Sequence, residues 1–265
     1  MRHRVILAVL ALLCAVATAG CGASKNFSSD VVAQAADKTE AAGGARVAFT
    51  AGVAGQTVNG GGYVDLRGQA ARLSLALPGS AGRIDEVMAN RVLYMHFPPA
   101  VAQHLPGGKA WVKIDIAKVL QSKGINLGAL RSSTESNPAD QLAQLRGAGD
   151  VSKVGTATVR GAQTTHYHAV IDLRRAADKA PAGRRAAARS SVDELIKVTG
   201  RSTIPMDVWI DGAGRLRRMR STQRVQGQAI TTTMDFFDFG ARQTVQPPPA
   251  SQTADLTSAV ASHLS

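Results

Sequence analysis

His166 and His168 stand two residues apart in a stretch that alternates like a strand, so their imidazoles share one face and Tyr167 turns to the other. Two imidazoles can begin a metal site, but zinc needs a third and usually a fourth ligand. No cysteine lies near, and no Asp or Glu spacing nearby completes the set, so the pair reads as surface imidazoles and no metal or cofactor is expected. Asp207, Asp211, Asp235 and Asp238 are the next candidates, because paired carboxylates can do acid–base work. Each sits near a turn or on a strand, where a structural role is enough. The chain has no Gly-x-Ser-x-Gly elbow, no His-Glu-x-x-His and no phosphate loop. No catalytic residue is assigned, and the expectation is a protein that is not an enzyme.

Charge is the second chemical signal. The chain carries a formal net charge of +12. Arg215, Arg217, Arg218 and Arg220 form one basic run, and on a strand they would line an outer face with Leu216 and Met219 turned inward. Those two apolar residues are three apart, which requires a local bulge. A second run is Arg174, Arg175, Lys179, Arg184, Arg185 and Arg189. Both runs could meet anionic lipid head groups or be solvated faces. Nucleic acid is excluded as a partner, because no binding motif is present and the N-terminus points to export.

That N-terminus has Arg2, His3 and Arg4, an apolar run from Val5 to Ala19, then Ala19-Gly20-Cys21. The order is that of a secretory signal, and the apolar run is shorter than a bilayer-spanning helix needs. A cysteine directly after small residues resembles a bacterial lipobox, although the third residue before it is Thr18 where that motif usually has Leu. The expectation is a signal peptide over residues 1–20, lipidation at Cys21, a tether over 21–28 and one domain over 29–265. Cys14 lies in the segment that would be removed, so the mature chain keeps a single cysteine and no internal disulfide. Acylation explains the one that remains.

The rest of the chain must supply a core from aliphatic residues, since aromatics are only 4%. A capped helix begins at Ser28-Ser29-Asp30 and ends at Gly43-Gly44. Strand alternation follows at Val47-Phe49-Ala51, Leu73-Leu75-Leu77, Arg83–Ala89, Val92–Phe97 and Ala110–Asp115, with a tight turn at Asn90-Arg91. Short helices are expected over 116–124 and 137–145. A second hairpin turns at Arg160-Gly161, a helical stretch covers 174–198 with a break at Pro181, and strands resume from Met206 through the turn Asp211–Gly214 to Phe239. A last helix is expected over 252–264. About ten antiparallel strands with segregated helices make the fold class α+β.

Leu73, Leu75, Leu77, Val92, Tyr94, Val112, Ile114, Met206, Val208, Ile210 and Met234 could all share one face of that sheet. Helices could cover the face completely, as an ordinary core, or partly, leaving an apolar cavity. Periodicity does not separate the two. The stretches Val92–Met95, Ala110–Asp115, Asn137–Leu142, Gly155–Val159 with Thr165–Tyr167, Ile204–Ile210, Phe236–Gly240 and Pro247-Pro248 together resemble the LppX/LprG-type lipoproteins of actinobacteria. That resemblance implies a large curved antiparallel half-barrel sheet wrapped around several helices. It implies too an apolar cavity holding acylated lipids or glycolipids, lined by the eleven residues above. The expectation is a monomeric carrier or presenter of envelope lipids, held by Cys21 on the extracytoplasmic face of the cell membrane. The alternative is a lipoprotein interaction or sensor domain with a filled core and no lipid ligand.

Overall fold

In the computed structural model the described residues are 27–53, 56–67, 70–78, 82–125, 149–180, 182–225 and 228–263. Among the described residues twelve strands form one open sheet. Helix α1 (Phe27–Ala41) leads into β1 (Gly44–Val53), β2 (Gln56–Asp65), β3 (Ala70–Ala76), β4 (Arg83–Ala89) and β5 (Val92–His96). A single helical turn, α2 (Pro99–Ala102), precedes β6 (Trp111–Asp115) and α3 (Ile116–Ser122). The second half runs β7 (Gly149–Val159), β8 (Ala162–Asp172), α4 (Leu173–Asp178), α5 (Ala182–Thr199), β9 (Thr203–Asp211), β10 (Leu216–Val225) and β11 (Gln228–Phe237). The chain closes with β12 (Thr253–Asp255) and α6 (Thr257–His263). The strand order is β12-β6-β5-β4-β3-β2-β1-β11-β10-β9-β8-β7, so two meanders join where β1 pairs with β11.

The turns follow from local chemistry. Asn90 and Arg91 both have positive φ, 53° and 64°, the two-residue geometry whose twist matches the flanking strands. Arg160 and Gly161 repeat it between β7 and β8. Within β2, Gly60 and Gly62 lie so close to β3 that a Cβ would fall 2.5 Å from the Ser74 carbonyl and 2.0 Å from the Arg72 carbonyl. Only glycine permits that approach, and glycines in a strand interior are where a large sheet can bend.

Helices pack on one face, hereafter the inner face, at both ends of the sheet. Ala35 of α1 joins Tyr167, Val208 and Ile210, while Val119 of α3 and Val260 and Ala261 of α6 join the cluster around Val112 and Ile114. Buried Thr39 fastens α1: its hydroxyl donates to the Ala35 carbonyl at 2.5 Å and accepts the Leu216 N–H at 2.8 Å. The Arg67 guanidinium donates to the Glu40 and Ala41 carbonyls at the end of the same helix, where carbonyls have no partner within the helix. Helices α4 and α5 form a separate small cluster around Ala177, Ala188 and Val192.

The α+β reading and the hairpins at Asn90-Arg91 and Arg160-Gly161 agree with this architecture. The sheet holds twelve strands where about ten were expected, and one pairing is parallel: β12 lies beside β6, Thr253 opposite Trp111. The expected helix over 252–264 is therefore a three-residue strand followed by α6, because the chain returns across the molecule to an edge that local pattern does not reveal. Helix α1 starts at Phe27, inside the span read as tether. The signal segment, Cys21 and the expected helix over 137–145 lie outside the described residues.

Candidate ligand-binding face

Because side chains alternate across a strand, the registers sort the whole sheet into two faces. One inner-face row runs Phe236, Val47, Gly62, Leu73, Glu86, Met95 and Val112 across β11, β1, β2, β3, β4, β5 and β6. Leu73, Leu75, Val112, Ile114 and Met234 are buried in one cluster with Leu77 packed against it. Val208 and Ile210 are buried in a second with Met206 beside it, under α1. Leu216 and Met219 touch both clusters and join them into one apolar surface. The bulge needed to turn both of these inward is present: the β9–β10 register shifts between Leu216 and Arg218.

Two of the eleven residues face the other way. On β5 the buried residues are Leu93 and Met95, and Val92 and Tyr94 alternate with them, paired to Asp115 and Lys113 on the outer face. The stretch Val92-Leu93-Tyr94-Met95 is apolar at every position, so its composition has no phase, and only the turn at Asn90-Arg91 decides which half points inward. Val47, Phe49 and Phe236 also line the inner face; the alternation of β1 had shown the first two as a strand without indicating that β1 lies at the centre.

One position in the row from Phe236 to Val112 breaks the apolar pattern. Glu86 is 4% exposed and lies between Leu73 and Met95. Burial pushes its carboxyl up to about 8, with no offsetting hydrogen bond or charge. At the opposite end, a cleft of about 240 Å³ opens between α1 and the β8–β9 strands, lined by Gln34, Lys38, Thr165, Tyr167, Ile210, Asp211, Gly212 and Gly214. It is smaller than the roughly 300–1,000 Å³ of ordinary ligand pockets.

The outer face of β8–β11 is polar. His166 stacks on Trp209, with centroids 4.1 Å apart, while the inward Tyr167 is buried. His166 Nε2 and His168 Nδ1 both meet Asp207 Oδ1, at 3.0 and 3.1 Å, and Arg220 holds the other oxygen at 3.0 Å. Burial raises the Asp207 carboxyl, but Arg220 and the two imidazoles outweigh it and hold the group below its ordinary value. Asp207, one of the candidate carboxylates, could not be placed beside this pair from spacing alone, because it arrives from β9 opposite His168. Among the described residues no group of three or more His, Cys, Asp or Glu could hold a metal ion.

The basic run Arg215–Arg220 is ion-paired. Arg218 grips Asp235 with two hydrogen bonds, 2.6 and 2.9 Å, and Arg160 from the β7–β8 turn joins at 3.0 Å. Arg215 and Arg217 share Asp211, which is buried and also accepts the Ala213 and Arg215 N–H groups. Arg218 and Arg220 lie over Trp209, and Arg215 and Arg217 over Phe239. Three aspartates thus answer the four arginines of the run. Asp238, more exposed, sits 3.9 Å from Arg46.

No family model matches the chain. An uncharacterized 31.2 kDa protein of Streptomyces griseus is 25% identical over 150 residues, 56% of this chain and 49% of the relative. A Streptomyces coelicolor protein provisionally named a lipoprotein is 26% identical over 159 residues, 59% of this chain and 46% of the relative. The chain thus spans about half the length of the curated relatives it matches. Among solved structures, the Mycobacterium tuberculosis lipoprotein LppX has a TM-score of 0.49 at 14% identity, covering 82% of this chain and 96% of LppX. LprF of Mycobacterium bovis has a TM-score of 0.42 at 14% identity, covering 83% of this chain and 96% of LprF.

Proposed function

We propose that this protein is a lipid-anchored envelope protein that binds acylated lipid against the inner face of its sheet and carries or presents it. The observation that supports this most is the largely apolar inner surface from β6 to β9, joined through Leu216 and Met219. Acyl chains laid on such a surface gain roughly 0.8 kcal/mol per methylene removed from water. Anchoring through Cys21 on the extracytoplasmic side would hold the domain within reach of its lipid source. The protein acts as a monomer and without catalysis in this reading, with helices α1, α3 and α6 as the covering layer of a half-barrel. In this reading the acyl chains lie on the larger cluster around Val47, Leu75 and Met234 rather than in the 240 Å³ cleft beside α1.

One observation favours the alternative, an interaction or sensor domain with a filled core. Val47, Val112 and Met234 are at most 3% exposed, which is core-like packing. The two readings separate in a vesicle assay. Protein released from its anchor is mixed with vesicles bearing a fluorescent diacyl lipid, then separated by size. A carrier leaves with fluorescence; a filled-core domain leaves without it.

A further inference from the structure

The inner-face row from Phe236 to Val112 offers hydrocarbon or glycine at every position but Glu86. Its cross-strand neighbours are Leu73 and Met95, and its inner-face neighbours along β4 are Ile84 and Met88. Among the described residues the Glu86 carboxyl makes no hydrogen bond and no ion pair, although the residue is 4% exposed. A polar side chain left in that condition is destabilising by about 1–3 kcal/mol or more, and native cores seldom retain one. A leucine or methionine of similar size would suit the row better. Nothing among the described residues supplies a reason for a carboxyl at this position.

We propose that Glu86 is a hydrogen-bond donor set into the apolar lining to receive an acyl carbonyl oxygen of the bound lipid. The inference rests on the carrier reading and names the group of the ligand that the inner face selects. The chemistry is complementary. A carboxyl among leucine and methionine side chains keeps its proton, and the neutral acid has one O–H to donate. An ester carbonyl accepts that hydrogen bond and brings no charge into the row. A free ammonium or phosphate would bring one, and would remain at the rim. Hydrocarbon on both sides of Glu86 then holds the chains that flank the carbonyl. The lipid is thereby fixed in depth along β4, which a uniformly apolar surface would not achieve.

The test compares two ligands that differ only in that oxygen. The full chain, freed of bound lipid, is titrated with vesicle-delivered diester phosphatidylglycerol and with the diether analogue of equal chain length. Wild type should favour the diester about tenfold, the effect of one well-made buried hydrogen bond. Glu86→Leu should bind both lipids alike, at the wild-type diether level or better, while Glu86→Gln, which keeps an N–H donor, should retain most of the preference. Equal affinity of wild type for the two lipids, or an undiminished preference in Glu86→Leu, overturns the assignment while leaving the carrier reading intact. Binding of neither lipid by wild type removes the carrier reading, and the assignment with it.

Discussion

Glu86 has a second consequence, for stability. Its carboxyl is raised by burial from 4.5 to about 8, the reverse of an ion-paired carboxylate. The folded chain therefore holds a proton that the unfolded chain has lost between those values. Stability falls as pH rises from about 4.5 and levels off above about 8, by several kcal/mol on the scale of 1.36 kcal/mol per pKa unit. Denaturant titrations across that range should show the slope in wild type and its near-absence in Glu86→Gln; parallel curves for the two would contradict the buried, unpaired state. Thr39 is the other residue whose role is local. Thr39→Val removes the hydroxyl that ties Ala35 to Leu216 and should destabilise by about 1–3 kcal/mol, measured as a lower denaturation midpoint. At this scale the sequence was only partly legible. Two acidic residues, Asp85 and Glu86, stand together in β4 between Ile84 and Val87, and nothing local says which of them turns inward. Val92 and Tyr94 were misassigned for the same reason, since a strand apolar at every position leaves its phase to the register of its neighbours.

Elements were easier to read where their chemistry is contiguous. Asn90-Arg91 and Arg160-Gly161 fix two-residue hairpins by themselves, and the three-residue spacing of Leu216 and Met219 announced a bulge before any partner strand was known. Elements whose identity depends on a distant partner were hidden: β12 becomes a strand only because β6 offers an edge. Strand β2 carries its own signal in Gly60 and Gly62, whose inner-face positions leave no room for a methyl group. Gly62→Ala should destabilise by about 1–3 kcal/mol or prevent folding, because β3 must move to admit the new Cβ. Gly212, with nothing within 4 Å of its Cβ position, is the control, and Gly212→Ala should stay within about 0.5 kcal/mol of wild type. Equal thermal shifts for the two variants would show that the close approach of β2 to β3 is not what demands glycine.

At the scale of the whole molecule, the fold class was legible because strand after strand alternates, and the α+β architecture follows once helices are segregated. What a sheet this large is for was not legible, since an aliphatic stripe describes a filled core and a lipid cavity equally well. Two features bear on that question, the proposed acylation at Cys21 and the apolar inner face some distance down the chain. The anchor has its own check: metabolic labelling with a clickable fatty acid should mark wild type and not Cys21→Ala, and equal labelling would remove the lipobox assignment. The inner face is tested most directly by native mass spectrometry of the protein purified from its own membrane and cut free of its anchor. The carrier reading predicts a folded chain with acylated lipid still bound; repeated recovery of the folded chain with no lipid would contradict it.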